Sequence, residues 1–338
     1  MVRLKDIAAQ AGVSVMTVSK VMRDARDISA ATKIRVRALA ESMGYVPDRM
    51  AQGLRSRTTK LFGLVMSAAT NPIYARILMA LEEQAFEMGY EIIFAHSLQQ
   101  TEREATILRR MLARRVDGLF IYPVYRMNPV APVYEELAKS GIPTVILGHK
   151  ADFCSNFANV ETDDLAASQQ VTRHLLELGH RRIAFFTGPR HVPWSQERLD
   201  GYLAALKEAG LEQDDRLIFT GGGTIAEGSA AALQFANENC TATAVQCVND
   251  LVAIGAASTL LDQGLRIPDD LSVTGFGNIL TSEHFRVPLT TVRQPKFRLG
   301  VAAMESMKKL LAGEPPLPQR LPAEILVRQS SGPPRRES

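Results

Sequence analysis

The residues that follow Ser14 have side chains suited to reading DNA bases. Ser14 is a favourable helix N-cap, and Val18 and Val21 after it have the spacing of one buried helical face. The side chains left on the outer face belong to Val15, Met16, Thr17, Ser19 and Lys20. Lysine donates hydrogen bonds to guanine, and apolar side chains contact the thymine methyl group. This helix is therefore a candidate for insertion into the major groove.

Motifs for catalysis and for metal binding are missing from the sequence. No G-x-S-x-G, H-E-x-x-H or Walker motif is present, and the glycine run 221–223 lacks the spacing of a phosphate loop. The three cysteines, Cys154, Cys240 and Cys247, are widely spaced and form no C-x-x-C pair. We therefore expect no enzyme activity, no metal and no cofactor.

A helix that reads bases must be held by neighbouring elements, and the sequence predicts two of them. Before Ser14, apolar residues recur at helical spacing at Leu4, Ile7, Ala8 and Ala11, and this first helix ends in a turn at Gly12. Two short helices joined in this way form a helix-turn-helix, whose second helix lies in the major groove. A third helix is predicted between the N-cap Ser29 and Gly44. Its expected core residues are Ile34, Ala38, Leu39 and Met43, with Lys33, Arg35 and Arg37 in solvent.

Charge is distributed unevenly along the chain. Residues 1–60 contain 12 Lys and Arg against 5 Asp and Glu, a net charge of +7, whereas the remaining residues contain 27 against 31, a net charge of −4. A basic segment at one end indicates a polyanionic partner, although charge alone is equally consistent with a solvated basic face.

Beyond Lys60, short apolar runs alternate with helix-length amphipathic stretches, which indicates an α/β architecture with parallel sheets. The predicted strands are Leu61–Met66, Glu91–Ala95, Gly118–Tyr122, Thr144–Leu147, Ile183–Phe186, Ala244–Val248 and Ser272–Gly275. The predicted helices cover about 73–88, 101–114, 130–139, 164–178, 196–209, 225–238 and 250–263. Two such lobes in series predict a ligand cleft at the carboxyl ends of their strands.

The predicted domain organisation has four parts. They are a helix-turn-helix domain at 1–46, a hinge or linker at 47–59, a two-lobed body at 60–330 and a disordered tail at 331–338. Within the body, the lobes cover about 60–160 and 161–290, and 291–330 cross back. The tail has two prolines and no leucine heptad, so we expect a homodimer without a tetramer-forming bundle. The chain has neither a membrane-length apolar run nor a signal peptide, so we expect a cytoplasmic protein.

Several segments together resemble the lactose-repressor (LacI/GalR) family of bacterial transcription regulators. In the first 60 residues they are Leu4-Lys5-Asp6-Ile7-Ala8, Gly12-Val13-Ser14, Thr17-Val18-Ser19-Lys20, Gly44-Tyr45-Val46-Pro47 and Ala51-Gln52-Gly53-Leu54-Arg55. In the body they include Asn71-Pro72-Ile73-Tyr74, Arg198-Leu199-Asp200-Gly201-Tyr202, Asn249-Asp250 and Gly275-Phe276-Gly277-Asn278. The resemblance covers about 1–330 and implies an N-terminal all-α helix-turn-helix domain followed by an α/β, two-lobed, periplasmic-binding-protein-like effector domain.

The resemblance implies how the chain would contact a palindromic operator. Val15, Met16 and Lys20 would read bases in the major groove, and the linker would fold into a hinge helix only on operator DNA. Leu54 would wedge into the minor groove, the alternative being a buried linker leucine without a DNA role. The complete expected DNA-binding set is Lys5, Ser14, Val15, Met16, Thr17, Ser19, Lys20, Arg49, Met50, Leu54 and Arg55.

The resemblance also implies a small-molecule effector, a sugar or a sugar derivative, in the cleft. The expected pocket residues are Tyr74, His149, Asp163, Trp194, Arg198, Asn249 and Gly277. Arg198 could instead pair with Glu197 or Asp200 on the surface, and Trp194 could simply pack in the core. His149 could be an ordinary loop residue, and Asn249 could cap the helix after it.

One departure from the family pattern concerns the effector. Many relatives have an acidic residue where this chain has Gly277, and another where it has Gly148, which argues against an ordinary hexose. An enzyme and a periplasmic sugar-binding protein are the rival classes. The sequence lacks the catalytic motifs of an enzyme, and a periplasmic sugar-binding protein does not account for the basic N-terminal domain.

Overall fold

Residues 2–46, 58–68 and 71–335 are described by the computed structural model of the protein. By its internal contacts the chain divides into two units, Met1–Thr59 and Lys60–Ser338. In the described part of the chain, no helix is both long enough and apolar enough to span a membrane.

Three helices form the first unit: α1 Leu4–Ala11, α2 Val15–Met22 and α3 Ala30–Ser42. Gly12 ends α1 with a left-handed φ of 64°, and Ser14 caps α2 by accepting a hydrogen bond from the Thr17 amide at 3.0 Å. The core contains Ile7, Ala8, Ala11, Val18, Val21, Val36 and Ala40. The predicted helix-turn-helix is therefore confirmed.

The predicted core face of α3 was partly wrong. Ile34 is 70% exposed, and Ala38 is exposed as well, whereas Val36 and Ala40 are buried against the other two helices. Leu39 and Met43 are half-buried at the edge of this core. The sequence of α3 contains two apolar stripes, and packing against α1 and α2 selects the one that contains Val36.

The second unit is built from strands β1 Leu61–Met66, β2 Glu91–His96, β3 Gly118–Ile121, β4 Thr144–Leu147, β5 Ala158–Thr162, β6 Ile183–Thr187, β7 Ile218–Thr220, β8 Ala244–Cys247, β9 Ser272–Thr274, β10 Thr291–Arg293, β11 Gln319–Leu321 and β12 Glu324–Leu326. Its helices are α4 Pro72–Glu87, α5 Thr101–Ala113, α6 Pro132–Ser140, α7 Asp164–Glu177, α8 Pro193–Glu208, α9 Ile225–Asn237, α10 Asp250–Asp262, α11 Leu280–His284 and α12 Lys296–Leu311.

Two parallel sheets define two lobes. Lobe 1 has the strand order β11-β5-β4-β3-β1-β2 and contains α4, α5, α6 and α12. Lobe 2 has the order β7-β6-β8-β9 and contains α7 to α10. The chain passes between the lobes after β5, before α12 and after β11, and the short antiparallel pair of β10 with β12 packs against α7. The predicted segment 291–330 therefore enters lobe 1 through α12 and β11 and then leaves it again.

The start of the predicted disordered tail is bound to lobe 2. The Gly332 carbonyl oxygen lies 2.9 Å from His180 Nε2, and the Gly332 amide donates to Ser272 Oγ at 3.0 Å. Arg335 donates to Asp270 Oδ1 at 3.2 Å. The lack of a helical pattern led to the expectation of disorder, whereas the Gly332 backbone and the side chains of Ser331 and Arg335 find hydrogen-bond partners on the lobe. Residues 336–338 lie outside the described part of the chain.

Candidate functional site

The first turn of α2 presents apolar side chains to solvent. Val15 is 47% exposed and Met16 is 61% exposed. Both flank the N-terminus of the second helix of the helix-turn-helix, which is the part of this motif that meets base edges. Two bulky apolar side chains at this place have no core to fill, so they are available for contact with thymine methyl groups.

The polar residues of α2 divide into a capping pair and a candidate base reader. The Ser14 and Thr17 hydroxyls are bonded to each other at 2.9 Å, so both serve the cap. Lys20 donates to Asp27 and is only half-buried, so its ammonium group can exchange this partner for DNA. Lys5 is exposed and Ser19 is half-buried. The remaining predicted contacts, Arg49, Met50, Leu54 and Arg55, lie outside the described residues.

A cavity of about 590 Å³ lies between the two lobes of the second unit. Its walls follow the carboxyl ends of the parallel strands: Ser67 comes after β1, Tyr122 after β3, His149 after β4 and Asn249 after β8. Loops at the carboxyl ends of strands provide the ligand sites of open α/β sheets, and this volume is within the usual range for small-molecule pockets.

Five of the seven predicted pocket residues line this cavity: Tyr74, His149, Trp194, Arg198 and Asn249. Asp163 and Gly277 do not. Asp163 caps α7 and binds Arg320 at 2.9 Å, so its carboxylate is directed to the edge of lobe 1. The Gly277 carbonyl accepts a hydrogen bond from Lys296 at 2.6 Å. Asn249 combines both predicted roles, because it lines the cavity and also caps α10 through the Val252 amide at 2.8 Å.

Arg198 is the most constrained charged residue of the cavity. It is only 5% exposed, donates to the Val248 carbonyl at 2.7 Å and pairs with Asp164 at 3.1 Å. Its guanidinium stacks 3.7 Å from the ring centre of Phe276 and 4.8 Å from that of Trp194. The alternative of a surface pair with Glu197 or Asp200 is therefore wrong. The buried Arg198 pairs instead with Asp164, which lies 34 residues earlier in the sequence.

Close packing of two helices makes the pair of Arg198 with Asp164 geometrically feasible. Gly201 lies on α8 where it crosses α7, and a Cβ at this position would collide with the Leu165 carbonyl oxygen. The helices can approach only because glycine has no side chain there. Gly201 thus allows the buried side chains of Asp164 on α7 and Arg198 on α8 to meet.

Aromatic rings form the opposite wall of the cavity. Tyr74 lies edge-on to Tyr122 at 4.8 Å between ring centres, and its hydroxyl is bonded to Ser67 at 2.8 Å. The Tyr125 hydroxyl donates to the His149 carbonyl at 2.8 Å. Burial raises the pKa of all three tyrosines, so their hydroxyls stay neutral and can form hydrogen bonds at the cavity wall.

A bridge of charged side chains connects the lobes beside the cavity. His149 Nε2 of lobe 1 lies 3.1 Å from Glu197 Oε2 of lobe 2, and Arg320 of lobe 1 binds the same carboxylate at 2.7 Å. Burial alone would raise the pKa of Glu197, but the hydrogen bonds from His149 and Arg320 lower it to about 2. Likewise, burial opposes charge on His149, but the bond to Glu197 and the charge of Asp164 raise its pKa.

This bridge predicts a pH dependence of stability that depends on His149. Because its pKa is raised in the folded state, its contribution is fully present below about pH 6.5 and is lost as the pH rises through the folded-state pKa. Burial lowers the pKa of His174 and His180, so these two residues act in the opposite direction. We therefore expect His149→Gln to remove one component of the decline in unfolding temperature between pH 6 and pH 8.

Differential scanning calorimetry across this pH range would measure the effect. His191→Gln is the matched control, because His191 lines the same cavity but is exposed. Equal pH profiles for wild type and His149→Gln would contradict a charged bridge, whereas the control should retain the wild-type profile.

Several cavity residues were missed by the sequence reading, chiefly Asp164, Glu161, Tyr122, Tyr125, Glu227 and Gln294. Asp164 directly follows the predicted Asp163, and Tyr122 was placed at the end of a predicted strand. A polar residue at a strand end or in the first turn of a helix was the signal that could have identified them. Glu161 belongs to β5, a strand that the reading did not predict.

Comparison with known proteins agrees with both units. Residues 3–48 match the model of bacterial regulatory proteins of the lacI family, and residues 172–331 match the periplasmic binding protein-like domain. The chain is 33% identical over 309 residues to the HTH-type transcriptional repressor PurR of Photobacterium profundum, covering 90% of each chain. It is 32% identical over 305 residues to the ribose operon repressor of Escherichia coli, covering 90% of this chain and 92% of the relative.

A solved structure extends the similarity to nearly the whole length. The lac repressor dimer bound to operator and the anti-inducer ONPF superposes with a TM-score of 0.88 at 28% identity, covering 98% of this chain and 99% of the other. Both relatives are named as repressors, which agrees with the prediction of a DNA-binding transcription regulator.

Proposed function

Because the chain belongs to the lacI family of bacterial regulatory proteins, we propose that it represses transcription by binding a palindromic operator as a homodimer. A small molecule in the cleft between the lobes controls its affinity for DNA. The two sites are then linked by a coupling free energy, typically about 1–3 kcal/mol. A regulator with DNA as its partner works in the cytoplasm.

The observation that carries this proposal is the exposed apolar start of α2, where Val15 and Met16 face solvent in a confirmed helix-turn-helix. The charge of +7 on residues 1–60 supports contact with phosphates around this helix. As in the family, Leu54 is proposed to open the minor groove between two half-sites.

An apolar face on lobe 1 supports the homodimer. Phe86 and Met79 of α4 are 76% and 50% exposed, and Phe94 on the edge strand β2 is 39% exposed. The two elements are adjacent, and a two-fold interface brings the same patch of each protomer together. Exposed apolar patches of this kind mark protein interfaces.

Gel-shift selection from a genomic fragment library tests the DNA-binding part of the proposal. We expect the full chain to retain fragments with two inverted half-sites and to run as a dimer in sedimentation. Retention of all fragments equally, or a monomer on a single half-site, would contradict it.

Substitution of Lys20 tests base reading directly. Lys20→Ala should lower discrimination between operator and random DNA by about 1–3 kcal/mol, because a lysine to guanine contact is lost. Asp27→Ala is the matched control, because it removes the intramolecular partner of Lys20 but keeps the ammonium group. Competition gel shifts measure both. An equal loss of affinity for operator and random DNA would make Lys20 a phosphate contact.

A further inference from the structure

His149 belongs to lobe 1, but most of the negative charge around it belongs to lobe 2. Its Nε2 atom lies 3.1 Å from Glu197 Oε2 on α8 and 3.7 Å from Asp164 Oδ2 on α7. The His149 side chain is only 6% exposed, so water and salt screen these contacts little. A protonated imidazole in this position is therefore stabilised by two carboxylates only while the lobes are together.

Arg320 makes a second contact between the lobes through the same carboxylate. Its guanidinium, on β11 of lobe 1, donates to Glu197 Oε1 at 3.0 Å and to Oε2 at 2.7 Å. Glu161 and Asp163 hold the same guanidinium, each at 2.9 Å. A guanidinium stays charged at every physiological pH, so Arg320 provides the constant part of the bridge to Glu197. His149 provides the part that depends on pH.

The surroundings of His149 give the direction of the pH effect. Burial opposes the charged form, but Glu197, Asp164 and Glu161 together raise the pKa of His149. The cation Arg198 is itself paired with Asp164 at 3.1 Å. Because two of the three carboxylates are on lobe 2, opening of the cleft removes most of what stabilises the proton on His149. The charged and titratable groups around His149 are Glu197 and Arg198 on α8, Asp164 on α7, Glu161 on β5, Arg320 on β11, Tyr125 after β3 and the neighbouring Lys150.

The DNA-binding segment has no side chain that ordinarily titrates near neutral pH. All six histidines and all three cysteines of the chain lie beyond Lys60. Histidine is the side chain whose ordinary pKa places its charge change between pH 5 and pH 8. Apart from the α-amino group, a change of operator affinity across this range is therefore expected to originate in the second unit.

We propose that Glu197 is a positioning residue that joins lobe 2 to His149 and Arg320 of lobe 1 and makes the angle between the lobes, and with it the affinity for operator DNA, depend on pH. Low pH holds the lobes together, and high pH allows them to separate. This inference rests on the proposed coupling of the cleft to DNA binding, but it requires no bound effector. Protons then bias the same two-state element as the effector does.

Quenching of Trp194 fluorescence by acrylamide measures the opening of the cleft without DNA. Trp194 is the only tryptophan of the chain and lines the cavity, so an open cleft exposes it more to the quencher. For the full-length wild type we expect a higher quenching constant at pH 8 than at pH 6. Glu197→Gln should have the high value at both pH values, because the charge that holds the proton on His149 is gone.

Glu208→Gln is the matched control for Glu197→Gln. Glu208 lies on the same helix, but it pairs with Arg173 at 2.7 Å within lobe 2 and makes no bridge to lobe 1. The control should therefore keep the wild-type rise in the quenching constant. A wild-type constant that is equal at pH 6 and pH 8, or the same rise in folded Glu197→Gln, would overturn the inference.

Operator affinity, measured by fluorescence anisotropy at constant ionic strength, tests the connection to DNA. A difference of one unit in the pKa of His149 between the two lobe arrangements changes their ratio by up to about tenfold. We expect the operator Kd of the wild type and of Glu208→Gln to change at least about threefold between pH 6 and pH 8. The Kd of Glu197→Gln and of His149→Gln should stay nearly constant. Equal pH profiles for wild type and Glu197→Gln would contradict the connection.

The two measurements separate this inference from the proposed function. A chain that shows the expected quenching but binds no palindromic DNA supports the bridge between the lobes and rejects the repressor function. A chain that binds its operator with the same pH profile in wild type and Glu197→Gln remains a repressor, and the role of Glu197 is rejected.

Discussion

Arg198→Met is expected to lower the free energy of unfolding of the second unit by about 3–5 kcal/mol, because it leaves the buried carboxylate of Asp164 without its hydrogen-bonded guanidinium and with only the His149 imidazole, 3.7 Å away, beside it. Asp164 is only 2% exposed, so water cannot replace the lost guanidinium. The substitution also leaves the Val248 carbonyl without the donor that now lies 2.7 Å away. Urea denaturation followed by Trp194 fluorescence measures the loss.

The double variant Arg198→Met, Asp164→Leu separates the pair from the rest of the packing. Removing both charges should recover much of the stability, because apolar residues of similar volume often replace a buried ion pair without loss. Arg173→Met is the surface control: its pair with Glu208 is half exposed, and we expect a change below about 1 kcal/mol. If Arg198→Met and Arg173→Met are equally stable, the ion pair with Asp164 does not contribute in the way described.

The same variants distinguish stability from ligand binding. In the double variant we expect the fold to be restored, but the guanidinium of Arg198 is absent from the cavity wall. A compound that binds in the cleft of the wild type should therefore bind the double variant more weakly, by a factor of about 10 for the loss of one hydrogen bond to a charged group. Unchanged affinity would remove Arg198 from the ligand contacts.

Most of the strands and helices that could be predicted from the sequence were identified by their regular apolar patterns. The bounds of β1 and β4 agree with the prediction residue for residue, since each is an apolar run with turn residues at both ends. The helices of lobe 2 agree within three residues, because capping residues such as Asp163 and Asn249 mark their starts.

The polar strand β5 and most strands of only three residues, with β9 as the exception, were not predictable from such patterns. The strand β5 contains Asn159 and Glu161, whose side chains take part in hydrogen bonds instead of filling an apolar core. The strands β10 to β12 are three residues long, which is shorter than any window over which alternation can be recognised. Only the tertiary fold gives them partners.

The candidate site shows the same limit at the level of single residues. The sequence reading identified the carboxylate region after β5 but selected Asp163, whereas Asp164 faces the cavity. Consecutive residues at the start of a helix point about 100° apart, so a one-residue difference separates the edge of lobe 1 from the cavity. Glu197 and Asp200, which lie near Arg198 in sequence, were its expected partners, because the distance from Arg198 to Asp164 is fixed only by the packing of α7 on α8.

Glu104→Ala is the substitution for which the structure predicts a large effect although no sequence pattern indicated one. Glu104 lies on α5 and is completely buried. Its carboxylate accepts hydrogen bonds from the Val124 amide at 2.7 Å and from the Tyr134 hydroxyl at 2.9 Å, and it also pairs with Arg126. Loss of the carboxylate leaves the largely buried Arg126 guanidinium without its counter-charge and two donors unpaired, so we expect stability to fall by about 3–5 kcal/mol.

Matched variants separate the charge of Glu104 from its hydrogen bonds. Glu104→Gln keeps an acceptor for the Val124 amide and the Tyr134 hydroxyl, but it removes the charge and the oxygen that accepts from Arg126, so its stability should lie between those of wild type and Glu104→Ala. Glu136→Ala removes a carboxylate from an exposed pair with Arg109 between the same two helices, and should change stability by less than about 1 kcal/mol. Urea denaturation of the three variants measures the series, and equal stability of Glu104→Ala and Glu136→Ala would contradict it.

The effect of Glu104 should extend to the cleft because of the loop that it holds. Val124 and Arg126 flank Tyr125, which lines the cavity and donates to the His149 carbonyl at 2.8 Å. Without Glu104 this loop loses its anchor, so the tyrosine wall and the position of His149 change together. We therefore expect Glu104→Ala to weaken binding of a ligand in the cleft under conditions where the variant is fully folded. The Glu136→Ala control should bind that ligand like the wild type, because its ion pair does not touch the loop.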